Sequence, residues 1–196
     1  MKRKIIDSLL FKNNGFLLTS EVVAAGISRE YLGEYVRRNE LERVAQGLYM
    51  SGDAWDDGMY VLQVRYPNIV FSHETALYLL GLAEREPGVF SVTLKTGANT
   101  AGLRKDGVKV YRVQGHLLGE GVIGSVSPSG HPLRVYNAER TICDLFRSRS
   151  EVDAQDLQMA VKGYIRMGER NIPLILRYAK EFKVERIVRQ YFEVLL

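Results

Sequence analysis

Cysteine, proline and tryptophan are scarce in this chain of 196 residues, which has one cysteine, five prolines and one tryptophan. The lone Cys143 excludes an internal disulfide framework and a metal site of several cysteines, and it fits a reducing compartment. No apolar run approaches the roughly 18 residues that a transmembrane helix needs. The basic residues 2–4 are followed by Asp7 and Lys12, so the start of the chain lacks the pattern of a signal peptide. We therefore expect a cytoplasmic protein.

The composition is that of an ordinary globular protein, because 46% of the residues are apolar and 26% are charged. This balance excludes a disordered chain. The net charge of +4 and the pI of about 9.1 permit contact with nucleic acid without demanding it. The basic residues are spread along the chain and form no polybasic tail, so a nucleic-acid surface has to be assembled by folding.

Two helices are predicted before residue 27. An apolar stripe over residues 5–10 predicts a first helix that ends at the turn residues 13–15. Thr19 and Ser20 are residues of the N-cap type, and we expect a second short helix to begin there. Gly26 is expected to end it, because glycine tolerates the backbone conformation of a sharp reversal.

Ser28 is the expected N-cap of a third helix, which runs to about Arg38. The tight turn at residues 25–28 joins the second helix to the third, and this spacing is that of a helix-turn-helix. Leu32 and Val36 lie side by side at 100° per residue and are expected to face the core, with Tyr35 flanking them.

The first turn and the outer face of this third helix suit DNA. Arg29 lies in the first turn, the part of such a helix that enters the major groove most deeply. Arginine pairs with guanine through two hydrogen bonds, and tyrosine contacts phosphate or the thymine methyl group. Glu30 and Glu34 repel phosphate, so they have to point to bases or stay clear of the backbone. Two strands joined at Gln46-Gly47 are predicted to follow as a hairpin, the wing of a winged helix.

The rest of the chain predicts an α+β fold, because several neighbouring strands lie between groups of helices. A domain boundary is expected at residues 51–53, which divides the chain into residues 1–52 and 53–196. The expected helices cover residues 57–65, 72–80, 138–147 and three pieces of 152–196 that break at 167–168 and near 183. Ser72 and Asn137 are the expected N-caps of the second and third of these helices. The expected strands cover residues 89–95, 108–113, 121–126 and 133–136.

No residue set predicts an enzyme. Gly97 and Gly102 have the spacing of a phosphate-binding loop, but Leu103 and Arg104 stand where such a loop needs lysine and a hydroxyl residue. This segment is therefore predicted to be a flexible loop between strands. The strand at 91–95 lacks the carboxylates and lysine that a magnesium-dependent nuclease needs.

The histidines predict no chemistry either. His73 and Glu74 are best explained as a polar helix start, because adjacent helical residues point about 100° apart. His116 and His131 have no cysteine, histidine or carboxylate at ligand spacing. We predict no metal and no cofactor.

Two C-terminal helices carry packing signals. Cys143 is expected to be a buried small apolar residue, and Asp144 to pair with Arg140 or Arg147. A stripe near the C-terminus is expected to pack on the protein's own core or on a second chain: Ile187, Val188, Tyr191, Phe192 and Leu195.

Two groups of motifs together resemble the AbiEi-type antitoxins. The first group is Gly26-Ile27-Ser28-Arg29, Leu32, Val36-Arg37-Arg38, Leu41-Glu42-Arg43-Val44 and Gly47-Leu48-Tyr49. The second group is Phe71-Ser72-His73-Glu74-Thr75-Ala76-Leu77 with Gly81-Leu82, and Asn137-Ala138-Glu139-Arg140-Thr141-Ile142-Cys143-Asp144. Each motif is modest by itself, but their order and separation over roughly residues 1–165 make the combination specific.

The resemblance implies a protein of two parts. Residues 1–52 would be a winged helix-turn-helix domain that binds double-stranded DNA at inverted repeats in its own promoter and represses it. Residues 53–196 would be the antitoxin domain of a type IV toxin–antitoxin system that aborts phage infection. The toxin of such a system resembles a nucleotidyltransferase, and a stable complex with it is not required. No membrane partner is implied.

The same resemblance assigns the site residues. The residues implied for DNA contact are Thr19, Ser20, Ser28, Arg29, Tyr31, Arg37, Arg38, Arg43 and Gln46. The residues implied for the antitoxin domain, in a structural or a direct role, are Ser72, His73, Thr75, Glu139, Arg140, Thr141 and Asp144.

Three alternatives stay open at this point. The winged helix could be a structural or protein-binding module. The chain could be a transcription regulator that responds to a ligand or partner and has no toxin. A metal-dependent nuclease is the third alternative, and the missing carboxylate–lysine set argues against it.

Overall fold

The computed structural model describes residues 1–195, with the side chains of residues 1–193. The chain forms two compact units. The N-terminal unit comprises residues 1–67 and 126–133, and the C-terminal unit comprises residues 68–125 and 134–196. Within the described residues, no helix has the length and apolar character needed to cross a membrane.

The N-terminal unit contains four helices and a three-stranded sheet. Its elements are α1 (Lys2–Lys12), β1 (Phe16–Leu18), α2 (Thr19–Ala24), α3 (Arg29–Arg38), β2 (Glu42–Ala45), β3 (Leu48–Met50) and α4 (Gly58–Arg65). The sheet has the antiparallel order β1-β3-β2. The core lies between the first three helices and includes Ile6, Leu17, Val22, Leu32 and Leu41.

The local signals around α2 and α3 are confirmed. The N–H of Tyr31 donates to the hydroxyl of Ser28, which caps α3 as expected. Gly26 ends the second helix at a φ of +77°, where a side chain would strain the backbone. Gly47, at the hairpin tip between β2 and β3, has a φ of +72°.

Three details of the N-terminal unit differ from the sequence expectations. Thr19 and Ser20 lie inside α2 and do not cap it, because the N-cap is Leu18 and has no capping side chain. Strand β1 was not expected; it forms because β3 lies beside it and pairs Leu17 with Tyr49. Tyr35, which was expected only to flank the core, is buried, since its hydroxyl donates to a carboxylate on α1. Val36 packs against the core as expected.

The C-terminal unit combines one sheet with six helices, which confirms the α+β class. The strands are β4 (Val70–Phe71), β5 (Ser91–Lys95), β6 (Lys109–Val113), β7 (Val122–Val126) and β8 (Pro132–Tyr136), of which β7 ends and β8 begins in residues of the N-terminal unit. The helices are α5 (His73–Leu79), α6 (Ala101–Lys105), α7 (Ala138–Arg147), α8 (Ala154–Arg166), α9 (Ile172–Glu181) and α10 (Glu185–Leu195), and a 3-10 turn covers Gly115–Leu117.

The sheet of this unit is mixed, with the order β6-β5-β4-β8-β7. Strand β5 pairs parallel with β6 and antiparallel with β4, and β4 pairs parallel with β8. Helix α7 packs against α5, α8, α9 and α10. Its N-cap Asn137 accepts from the N–H of Arg140 at 2.9 Å, as the sequence predicts.

Some expectations for the C-terminal unit are confirmed and two are corrected. Cys143 is fully buried. The terminal stripe packs on the unit's own core as far as residue 192, whereas the side chain of Leu195 lies outside the described residues. The segment 97–102, which was expected to be a loop, ends in the short helix α6. The side chain of Asn99 accepts from the N–H of Ala101 at the start of this helix. Ser72 is the N-cap of α5, but its hydroxyl forms no capping bond.

Candidate nucleic-acid interface

The exposed face of α3 carries the arginines that the sequence singled out. Arg29, Arg37 and Arg38 are all exposed. Arg37 and Arg38 lie in the last turn, where positive charge interacts favourably with the helix dipole. Ser28 is exposed beside Arg29 at the start of the helix. The helix therefore presents cations at both ends of one element.

Glu30 is an anion on this otherwise cationic helix. Hydrogen bonds from its own backbone N–H and from the hydroxyl of Ser28 lower the pKa of its carboxyl. Because the carboxylate is held on the N-cap in this way, it lies back along the helix start and leaves the first turn to Arg29.

The hairpin contributes Arg43 on β2 and Gln46 at the tip, and both are exposed. Thr19 lies below the tip and is half-buried: its backbone N–H donates to the carbonyl of Gly47 at 2.8 Å. Ser20 is exposed at the start of α2. Thr19 thus supports the hairpin, whereas Ser20, Arg43 and Gln46 are open to a ligand.

Tyr31 is half-buried and packs against the core of the N-terminal unit. The ammonium of Lys2 lies 5.6 Å from the centre of its ring, a cation–π distance. In the sequence, the basic residues 2–4 bear only on the question of a signal peptide, and the place of Lys2 beside Tyr31 of α3 was missed. The signal that could have found Lys2 is an exposed basic triplet at the start of a helix with no acidic residue in its first turn.

A buried hydrogen-bonded pair, Asp57 and His131, supports the same unit. Asp57 caps α4 by accepting from the N–H of Tyr60, and its other oxygen lies 2.6 Å from Nδ1 of His131. The hydroxyl of Ser127 donates to that same oxygen at 2.5 Å. Nε2 of His131 lies 3.0 Å from the carbonyl oxygen of Asn13. Both ring nitrogens therefore face oxygen atoms of the N-terminal unit, and the imidazole connects Asp57 with the backbone at Asn13.

The ring of His131 is also enclosed by aromatic side chains. It stacks on Tyr60 with centroids 4.3 Å apart and meets the edge of Phe16 at 4.8 Å. Sequence analysis treated His131 as a loop residue without a role, and no local pattern connects it with Asp57.

The seven motif residues implied for the antitoxin domain are all buried: Ser72, His73, Thr75, Glu139, Arg140, Thr141 and Asp144. Thr75 accepts from the N–H of Ser91 at 2.8 Å, and Glu139 accepts from the hydroxyl of Tyr164 at 3.0 Å. The hydroxyl of Thr141 lies 3.4 Å from the carbonyl of Tyr136. These side chains use their polar groups inside the C-terminal unit.

Arg140 and Asp144 form the ion pair that the sequence predicts, and both side chains are fully buried. Nε of Arg140 donates to Asp144 at 2.9 Å, and Nη1 of the same guanidinium donates to the carbonyls of Leu117 and Glu120. The guanidinium lies over the ring of Phe182 at 4.0 Å. Burial raises the pKa of the Asp144 carboxyl, and the guanidinium of Arg140 opposes that shift.

His73 is the most constrained motif residue. Its backbone is left-handed, with a φ of +50°, and its imidazole stacks on Tyr111 at 3.4 Å. Thr93 donates to the hydroxyl of Ser72, which lies 3.0 Å from Nδ1, and Nε2 lies 3.2 Å from the hydroxyl of Ser148. The donor order assigns the hydrogen to Nε2 and leaves Nδ1 as the acceptor.

Burial is also the main electrostatic influence on His73. It lowers the pKa of the imidazole well below its ordinary value, and the nearby cations Arg147 and Lys109 act in the same direction. The ring is therefore neutral at physiological pH. A neutral, buried and fully bonded imidazole in a constrained backbone is a structural feature of the C-terminal unit.

Comparison with known proteins agrees with the sequence motifs at the N-terminus. Residues 4–52 match a family described as transcriptional regulator, AbiEi antitoxin. No curated protein matches the chain significantly. The crystal structure of the RV2827C protein from Mycobacterium tuberculosis is similar over 91% of this chain and 74% of that chain, with 13% identity and a TM-score of 0.49. That likeness is too low to carry a conclusion about function. The predicted resemblance to the AbiEi-type antitoxins is confirmed, and residues 4–52 are the part of the chain that matches their transcriptional-regulator family.

Proposed function

We propose that this protein is the antitoxin and transcriptional autorepressor of a type IV toxin–antitoxin operon for phage defence. Residues 1–52 are its winged helix-turn-helix domain and bind inverted repeats in the operon's own promoter. Residues 53–196 are its antitoxin domain and counteract a nucleotidyltransferase-like toxin without requiring a stable complex. The observation that carries the proposal is the order α1-β1-α2-α3-β2-β3 with exposed arginines on α3 and β2.

The element order suggests how the domain meets DNA. Helix α3 is 10 residues long, and its first turn enters the major groove with Arg29 directed to base edges. Arg37 and Arg38 follow the helix to its far end and contact phosphates. The hairpin lies along the adjacent backbone, where Arg43 and Gln46 contact phosphate or the minor groove. Tyr31 contacts the backbone with its exposed edge, beside Lys2.

Burial of the seven antitoxin motif residues supports a structural role for them within residues 53–196. Their side chains maintain the C-terminal unit, since they are bonded to one another and to its backbone. The antitoxin activity therefore belongs to the surface that this unit presents. Substitution of the motif residues abolishes that activity by unfolding the unit.

Fluorescence anisotropy of the full chain on the DNA upstream of its own gene, against scrambled DNA and at two salt concentrations, tests the repressor half. We expect a preference for its own DNA of at least about 10³-fold, the low end for specific binding. Arg29→Ala is expected to cost about 1–3 kcal/mol on the operator and to relax specificity. Arg37→Ala is expected to lower the salt slope by about one unit on both DNAs.

Arg166→Ala is the matched control, because Arg166 is an exposed arginine on a helix of the C-terminal unit. Equal and steeply salt-dependent binding to both DNAs would contradict the proposal. Rescue of cells that express the neighbouring toxin tests the antitoxin half, and Arg37→Ala should leave rescue intact. An upstream operator without any toxin to oppose would favour a partner- or ligand-responsive regulator.

A further inference from the structure

A groove of about 790 Å³ opens on the N-terminal unit. It is not lined by the exposed arginines described above, Arg29, Arg37, Arg38 and Arg43. Two large aromatic residues lie along it with little cover: Phe11 is 89% exposed and Trp55 is 85% exposed. Pro128 and Ala54 extend the apolar lining. This surface is named the aromatic groove below.

Exposure of two large aromatic residues in one groove points to an interaction surface. Single exposed apolar residues are common on folded proteins and need no explanation. Phe11 lies in the last turn of α1 and Trp55 follows β3, so the fold brings them together from separate elements. Tryptophan and other aromatic residues are enriched at the centres of protein interfaces, where they contribute much of the binding energy.

The charge of the aromatic groove is negative. Asp7, Asp53 and Asp56 line it, and no lysine, arginine or histidine is among its lining residues. Asp7 accepts from the hydroxyl of Tyr35 at 2.6 Å and has Arg3 at 3.8 Å. Asp53 and Asp56 then provide the anionic part of the lining.

These charges exclude two occupants. DNA is excluded because carboxylates repel phosphate groups. A symmetric dimer across the groove would bring Asp53 and Asp56 against their own copies, since a two-fold interface pairs the same patch from both chains. A cation suits the groove, because it can pair with the carboxylates and stack on the faces of Phe11 and Trp55.

We propose that the aromatic groove binds a segment of a partner protein in which lysine or arginine alternates with apolar residues. The apolar side chains cover Phe11 and Pro128, and the cations pair with Asp53 and Asp56 and stack on Trp55. The proposal does not depend on DNA binding, because Arg29, Arg37 and Arg38 of α3 do not line the groove. The protein can then hold its partner while it is bound to DNA.

Trp55 is the only tryptophan of the chain, so its emission reports directly on the groove. The probe is a short synthetic peptide without tryptophan that alternates leucine with lysine and arginine. A peptide with glutamate in place of the cations and one with serine in place of leucine are compared with it. We expect only the cationic, apolar peptide to shift the emission to shorter wavelength and to protect Trp55 from acrylamide quenching.

Two variants test the contacts while leaving Trp55 as the reporter. Phe11→Ser removes the exposed aromatic partner and is expected to weaken peptide binding about 30-fold. Asp56→Lys reverses one charge of the lining and is expected to weaken it at least about tenfold. Val23→Ser and Asp156→Lys are the matched controls, because both change exposed residues outside the groove and should leave peptide binding unchanged.

Other occupants would appear in the same experiment. A shift of the Trp55 emission with rising protein concentration alone would assign the groove to a second copy and overturn the proposal. A shift on addition of upstream DNA would assign it to nucleic acid and overturn it as well. Equal responses to all three peptides, or no response to the cationic one, would do the same.

Discussion

Nδ1 of His131 lies 2.6 Å from the carboxylate of Asp57, although 74 positions separate the two residues in the chain. The pair is buried inside the N-terminal unit and joins the segment at 126–133 to the start of α4. Removal of one partner leaves polar atoms of the other buried without a hydrogen bond, which lowers the stability of a folded protein. Loss of either partner is therefore expected to destabilise the N-terminal unit, which contains the arginines of α3.

His131→Ala is expected to reduce the free energy of unfolding by about 1–3 kcal/mol, because the buried carboxylate of Asp57 then loses a hydrogen-bond partner. Urea denaturation of the full chain measures this loss. His116→Ala is the matched control, since His116 is exposed. If His131→Ala and His116→Ala have equal stability, the hydrogen bond between His131 and Asp57 does not support the unit.

The pH dependence of stability tests the buried His73. Because its pKa is lowered in the folded protein, the unfolded state binds more protons as the pH falls below the ordinary histidine pKa of about 6.5. Stability is then expected to fall with pH in that range, with a slope of up to about 1.4 kcal/mol per pH unit. The raised pKa of Asp144 acts in the opposite direction, over the more acidic range of carboxyl groups.

His73→Asn is the variant for this measurement, because asparagine tolerates the left-handed backbone at this position. Urea midpoints across the pH range from 5 to 8, roughly the span of histidine titration, should show a shallower slope for His73→Asn than for the wild type. Parallel profiles for the two proteins would contradict the lowered pKa.

Arg140→Met is expected to destabilise the protein by about 3–5 kcal/mol, because buried Asp144 loses its hydrogen-bonded cation and keeps only Arg147 at 3.5 Å. The carbonyls of Leu117 and Glu120 also lose their donor. The double variant Arg140→Met with Asp144→Leu should recover much of that loss, since an apolar pair replaces the ion pair. A double variant as unstable as Arg140→Met would show that the two carbonyls, and not the carboxylate, carry the cost.

Glu30→Gln tests the role of Glu30 on DNA. The direction of the change in DNA affinity distinguishes repulsion of phosphate from recognition of a base. Glu30 lies back on the N-cap Ser28, so we expect it to repel phosphate without reading a base. Removal of one negative charge near the backbone should raise affinity for operator and scrambled DNA alike, and more at low than at high salt concentration. Glu169→Gln on the C-terminal unit is the control. A selective loss on the operator would instead mean that Glu30 accepts from a cytosine.

The parts of this protein that the sequence predicted well are those that depend on neighbouring residues. Ser28 and Asn137 cap their helices because a hydroxyl or amide oxygen reaches a backbone N–H within one turn. Gly26 and Gly47 mark turns because they adopt positive φ without strain. The pairing of Asp144 with Arg140 follows from a spacing of four residues on one helix.

The rest required distant segments to meet, and no local pattern contains that information. Only the tertiary structure brings His131 to Asp57, and only it brings Phe11, Trp55 and Pro128 into one groove. It also decides that the antitoxin motifs are buried, since the burial of a polar side chain depends on partners from elsewhere in the chain. Sequence alone determined the longer helices and their caps, because those hydrogen bonds are local. The meeting of distant segments decided strands such as β1 and which side chains are left for a partner.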